Sequence, residues 1–178
     1  ETFDGAKKLS FSLKNLKVEE WSAEIPRLYE LYITLSKGDN EVMTIRQYIG
    51  FKHIEIKDAV FYFNDKKVKL KGVNHHDTNM KNGYVLTGEE IKEELELMKK
   101  LNINSIRTSH YPPDPTLLTL ADLMGFYIVD EADIETHGAG DITVPYDNCL
   151  ISDDPKWANR YVDRVARMYY RDRNHPSI

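Results

Sequence analysis

The sequence predicts two architectures in series, a small antiparallel β-sandwich followed by the opening part of a parallel-stranded (β/α) barrel. Three observations carry this. Residues 9 to 63 hold short strand patterns broken by turn signals, with no helical periodicity long enough to compete. From Val68 the rhythm changes to strand, helix, strand, helix, and such short connections between successive strand–helix units require a parallel sheet. The third of these strands, Phe126-Tyr-Ile-Val129, then runs straight into Asp130, Glu131, Asp133, Glu135 and His137. That many ionisable groups beside a buried strand end repel and desolvate one another unless a cation, a substrate or water receives them.

Bulk composition narrows the classes. The chain has 178 residues, 41% of them hydrophobic, and a net charge of −5 with Lys and Arg spread throughout, so no basic stripe marks a nucleic-acid surface. No apolar run of membrane-spanning length and no signal-peptide pattern occurs. Cys149 is the single cysteine, which excludes an internal disulfide and favours a reducing, cytoplasmic location. The chain starts at Glu1 without an initiator Met and stops at Ile178, just after a helix and a turn signal. The expectation is an internal piece of something larger.

In the first part, Leu9, Phe11, Leu13 and Leu16 nearly alternate and read as a strand. Trp21 to Tyr29 is a loop crossing with aromatic anchors. Leu31-Tyr-Ile-Thr-Leu35 and Val42 to Tyr48 flank the polar hairpin loop Lys37-Gly-Asp-Asn-Glu41, and Ile54, Ile56 and Val60 to Phe63 continue the pattern.

The second part opens with a strand over Val68 to Val73 that ends in Asn74-His-His-Asp-Thr78. Thr87-Gly-Glu-Glu90 is a capping box, and Ile91, Leu95, Met98 and Leu101 mark one face of the helix it starts. Ile103 to Arg107 is the second strand. Asp114-Pro115 caps a second helix with Leu117, Leu120, Ala121 and Met124 on its buried face and Gly125 at its end. Asp154-Pro155 starts a third helix carrying Trp157, Tyr161, Val165 and Met168 on one side, with Arg171 and Arg173 where cations suit the helix dipole. An eight-unit barrel takes about 250 residues, so the roughly 110 residues after Val68 supply its first three units.

Each parallel strand delivers polar groups at its C-terminal end: His75, His76 and Asp77, then Arg107 and His110, then Glu135 and His137. In (β/α) barrels the loops of that rim converge on one cleft. Taken singly, His76 and His110 also fit loop or capping histidines, and Arg107 fits an ordinary ion-pair partner for Asp130 or Glu131. Asp130, Glu131 and Asp133 read mainly as structural. Glu135 and His137 fall on one side of an extended segment, an oxygen and an imidazole that suit Mg²⁺, Mn²⁺ or Zn²⁺. Glu131, Asp133 and Glu135 come from one strand end, whereas the carboxylate pair of a glycosidase is more naturally supplied by two strands.

Four ordered motifs, Lys71-Gly-Val-Asn-His-His-Asp77, Arg107-Thr-Ser-His-Tyr-Pro112, Asp130-Glu-Ala-Asp-Ile-Glu-Thr-His-Gly138 and Arg171-Asp-Arg-Asn-His-Pro176, together resemble the β-galactosidases of glycoside hydrolase family 2. Trp21 to Tyr29 and Ile49-Gly-Phe-Lys52 look like that family's immunoglobulin-like domain preceding the barrel. The resemblance implies residues 1–58 as the C-terminal part of an immunoglobulin-like β-sandwich and residues 59–178 as the N-terminal part of a catalytic TIM barrel. It implies Glu135 and His137 as ligands of an active-site Mg²⁺, with Na⁺ as a further cation. His76 and His110 correspond to histidines that contact galactose and stabilise the transition state, and Arg107 to an arginine against the nucleophile carboxylate. The acid/base and nucleophile glutamates of the family fall on later strands, so no bond-breaking carboxylate is expected within the chain. The implied whole is a retaining, homo-oligomeric enzyme acting on small β-galactosides such as lactose. A β-glucuronidase relative and a non-catalytic carbohydrate-binding module are the rival readings. His75 departs from the family's usual arginine, and Asn64-Asp65 from its usual Asn-Gly turn.

Overall fold

The computed structural model describes residues 8–136 and 151–178. Among these, three separate sheets follow one another along the chain. Residues 8–28 form no strand, contrary to the near-alternation of Leu9 to Leu16. A strand needs a neighbour for its backbone groups. No described strand pairs with this segment, and Phe11 and Leu13 stay 74% and 77% exposed.

β1 (Tyr29–Lys37) and β2 (Asn40–Ile49) form a long antiparallel hairpin around Gly38-Asp39, with a register shift at Leu35/Ser36. A second sheet packed face to face on this hairpin is not present among the described residues. β3 (Ile54–Lys57), β4 (Val60–Phe63) and β5 (Lys66–Lys67) form an antiparallel meander. Its two-residue turns, Asp58-Ala59 and Asn64-Asp65, have positive φ at both positions, as tight hairpins demand. Asp65 thus adopts, at φ 61°, the conformation that glycine usually supplies. The boundary expected between residues 58 and 59 would run through the first of these turns. Asn64 locks the meander to the preceding loop: its Oδ1 accepts from the His53 N–H at 2.8 Å and its Nδ2 donates to the Trp21 carbonyl at 2.9 Å.

β6 (Gly72–His75), β7 (Ser105–Thr108) and β8 (Tyr127–Val129) form a parallel sheet in the order 6-7-8. Gly72 pairs with Ser105, and Ser105 with Tyr127. The first strand lies further along than Val68 to Val73. The Asn104 side chain captures the Lys71 N–H and the Lys69 carbonyl at 2.7 and 3.1 Å, while Val68 packs on the cluster of Trp21, Ala23, Phe63 and Tyr127. Pairing therefore begins at Gly72 and carries His75 into the sheet.

α1 (Gly88–Lys100) starts with the expected capping box: Thr87 Oγ1 accepts from the Glu90 N–H and Glu90 Oε2 accepts from the Thr87 N–H at 2.8 Å. α2 (Pro115–Met124) is capped by Asp114 and closed by Gly125 in the left-handed region. A single 3₁₀ turn at Pro155–Trp157 leads into α3 (Ala158–Asp172). The main core lies between α1, α2 and the parallel sheet, built from Ile91, Leu95, Ile106, Leu117, Leu118 and Phe126. A second cluster joins Trp21, Phe63 and Tyr127, whose rings meet edge to face at 4.9–6.0 Å. Trp21, a loop aromatic by sequence, is fully buried, and its indole N–H donates to the Asp122 carbonyl at 2.8 Å.

Candidate active-site rim

Because β6, β7 and β8 run parallel, their C-terminal ends face the same way and the groups just beyond them converge. Arg107, next to last in β7, reaches Glu131 Oε2 at 2.7 Å and Asn74 Oδ1 at 3.2 Å. The other Glu131 oxygen lies 2.9 Å from His110 Nδ1. One carboxylate therefore holds both the guanidinium and the imidazole, and an ionised acceptor makes both bonds strong. Glu131 is itself placed by its backbone N–H, which donates to Thr108 Oγ1 at 2.9 Å. His76 stands exposed beside this group, its ring 5.6 Å from that of His110 and 6.2 Å from that of Tyr111. Three of the residues singled out from the sequence, His76, Arg107 and His110, are thus brought together, with Glu131 as the centre that sequence had read as structural.

Behind the rim lies a buried layer. His75 sits between Glu94 of α1 and Asp77, whose N–H donates to the Tyr111 hydroxyl at 2.9 Å and whose Oδ2 accepts from the Asp114 N–H at 2.8 Å. Asp130 accepts from Thr108 and meets the buried Asp172 of α3. Burial, followed by the charge and hydrogen bond of Asp172, pushes the Asp130 carboxyl up to about 6, with Arg171 and Thr108 opposing. A second negative charge placed beside Asp172 is what disfavours ionisation of Asp130. On the far side of α2, Asp122 accepts from the Ser177 N–H at 3.0 Å and pairs with His175 Nδ1 at 2.5 Å, tying the Arg171 to Pro176 motif to the barrel core. Lys52, close by, is lowered to about 8 by burial, with the Asp122 charge opposing.

Asp122 and the Asp130–Asp172 pair were missed by sequence reasoning. Asp122 carried a signal, since it occupies the buried stripe of α2 with Leu118 and Ala121. The carboxylate pair carried none, because its members are 42 residues apart.

Glu135 is exposed, beside a cavity of about 760 Å³ between residues 133–136 and α3, where Asp133 pairs with Arg164. No hydrogen bond or ion pair engages its carboxylate among the described residues, which leaves an oxygen donor of the kind a hard divalent cation takes. His137 lies outside the described residues. Among those described, the grouping of three side chains able to hold a metal is elsewhere, at His53, Glu55 and Asp65, all exposed.

Parallel strands that carry paired imidazoles, an arginine and acidic groups to one rim define a piece of a (β/α)-barrel enzyme. Residues 54–178 match the glycosyl hydrolases family 2 TIM barrel domain and residues 1–52 match glycosyl hydrolases family 2, so the chain belongs to glycosyl hydrolases family 2. It is 39% identical over 178 residues to a β-galactosidase of Streptococcus thermophilus, covering 98% of this chain and 17% of that protein. It is 44% identical over 161 residues to a β-galactosidase of Arthrobacter sp. (strain B7), covering 90% and 15%. Among solved structures, a Lactobacillus rhamnosus β-glucuronidase superposes with a TM-score of 0.77 at 29% identity, over 90% of this chain and 26% of that one. The chain thus spans about a sixth of the length of these curated relatives.

Proposed function

We propose that the chain supplies the sugar-contacting rim of a retaining β-galactosidase that removes terminal non-reducing β-D-galactose from β-galactosides such as lactose. The observation that carries this is the Glu131-centred arrangement of Arg107 and His110 beside His76 at the ends of parallel strands. Imidazoles there can bond sugar hydroxyls, and a bond that tightens as the ring flattens toward an oxocarbenium-like state lowers the barrier. Arg107, paired with Glu131, would place a fixed positive charge beside a nucleophile carboxylate. The two glutamates that break and re-form the glycosidic bond are, in this reading, not among the residues of this chain. Its residues bind, orient and neutralise.

Glu135, with His137, would hold Mg²⁺, and Na⁺ is a further candidate. Bound there, such an ion would supply fixed positive charge for sugar hydroxyls and neighbouring carboxylates. The hairpin β1–β2 would belong to an immunoglobulin-like sandwich preceding the barrel. The same reading carries a homo-oligomeric, cytoplasmic protein.

Galactoside is favoured over glucuronide on two grounds. The curated relatives at 39% and 44% identity are named β-galactosidase. Arg107, the cation at the described strand ends, is already committed to Glu131, which leaves it poorly placed for a sugar carboxylate. The β-glucuronidase likeness at 29% keeps the second substrate as the comparison. The full gene product carrying this chain is assayed on chromogenic β-galactoside and β-glucuronide, before and after chelation. Galactoside turnover that drops on chelation and returns with Mg²⁺ is expected; turnover of the glucuronide alone, or of neither, overturns the reading.

A further inference from the structure

We propose that His75 is a positioning residue that works as an imidazolium, joining Glu94 of α1 to Asp77 of the rim loop and thereby orienting His76. It rests on the rim being the sugar site. The ring is buried between two carboxylates: Nε2 is 2.8 Å from Glu94 Oε2 and Nδ1 is 3.6 Å from Asp77 Oδ1. Both His75 Nδ1 and Asp77 Oδ1 are buried without a hydrogen-bond partner. A neutral imidazole has one N–H. Placed on Nε2 it serves Glu94 and leaves the Nδ1 lone pair facing an Asp77 oxygen; placed on Nδ1 it leaves a lone pair against Glu94. Either tautomer sets a lone pair against a carboxylate, an unfavourable arrangement that is most costly on the buried Asp77 side. A second proton removes it, giving each carboxylate its own donor.

The anchor matters because of what Asp77 holds. Its N–H donates to the Tyr111 hydroxyl and its Oδ2 takes the Asp114 N–H at the start of α2. His76 lies between His75 and Asp77 in the chain, with its ring against those of His110 and Tyr111. The other ionisable neighbours are committed elsewhere: Glu90 of α1 to Thr87 and Asn79, Arg107 of β7 to Asn74 and Glu131. From the residue just after β7, His75 meets neutral groups, the Ser109 N–H and hydroxyl on its carbonyl. Glu94 and Asp77 are therefore the charges that its two ring nitrogens face.

The test uses the full gene product as wild type, His75→Arg and His75→Gln. A guanidinium can donate to both carboxylates at every working pH, whereas the glutamine amide cannot restore the charge. At one working pH, His75→Gln should lose about three- to ten-fold in kcat with KM changing less, while His75→Arg stays within about two-fold of wild type. The melting temperature of His75→Gln should fall below those of wild type and His75→Arg. A His75→Gln melting temperature equal to wild type, or a His75→Arg one as low as that of His75→Gln, overturns the bridge. A lowered melting temperature of His75→Gln with wild-type kcat overturns the positioning role. Absence of glycosidase turnover in the wild type overturns the rim as a sugar site, while the melting comparison still decides the bridge.

Discussion

Glu131 serves two partners with its two oxygens, Arg107 at 2.7 Å and His110 at 2.9 Å, and this sets what single substitutions should do at the rim. In the full gene product, His110→Ala should lower kcat and kcat/KM by similar factors, a loss of roughly 2–4 kcal/mol, as for removal of an aligned bond from a water-poor site. A purely structural histidine would cost melting temperature and leave the folded fraction's kinetics intact; a wild-type kcat removes His110 from the transition state. Asp130 makes a prediction in pH. Its carboxyl is raised from 3.8 to about 6, first by burial and then by Asp172. A folded-state value above the unfolded one means that the native state binds more protons between these limits. Stability is then fully present below about pH 4, falls as pH climbs through about 6 and levels off above it. Asp130→Asn stays neutral, so its melting temperature should exceed wild type by a few degrees at about pH 8, with the advantage vanishing toward about pH 4. An advantage independent of pH would sink this account.

Among the elements, α2 shows how a helix end can decide the packing of a distant loop. Gly125 closes it at φ 80°, and a Cβ there would lie 2.2 Å from the Ala23 carbonyl oxygen, a backbone atom that cannot swing away. Lys99 of α1 donates to the Gly125 carbonyl, so the same cap also fixes the α1–α2 corner. Gly83 has a similar φ of 70° but open space around it. Gly83→Ala should therefore cost only the left-handed strain, about 1 kcal/mol, and Gly125→Ala at least about 3 kcal/mol through strain plus backbone clash. Equal losses in urea melts of the two variants would show that the Ala23 contact is immaterial. The capping box that opens α1 and the Asp114 cap that opens α2 were readable because they depend on neighbours within four residues. The start of β6 was not, since Asn104, more than thirty residues away, takes the backbone groups of Lys69 and Lys71 out of the sheet.

At the scale of the whole molecule, two well-packed clusters coexist with much uncovered apolar surface. Val162, Val165, Tyr169 and Tyr170 of α3 are exposed, as are Leu31, Ile33 and Ile45 of the β1–β2 hairpin. Apolar faces of this extent bind partners or one another. The 178-residue polypeptide by itself should bind a dye for exposed apolar surface and self-associate with rising concentration. A sharp monomeric melt without dye binding contradicts this.

By itself the sequence determined the family, through four motifs in order, and the strand–helix rhythm that sends His76, Arg107 and His110 to one rim. Those features rest on periodicity and on residue types at short spacing, which the chain carries locally. The tertiary structure alone decided that Arg107 takes Glu131 as its ion-pair partner, that His75 is buried between two acids, and that Asp130 meets Asp172. Each of these depends on the register of one strand against the next and on the approach of a helix from elsewhere in the chain. A shift of one residue along a strand turns every side chain to the other face. Which acid meets which base is therefore a property of the assembled sheet.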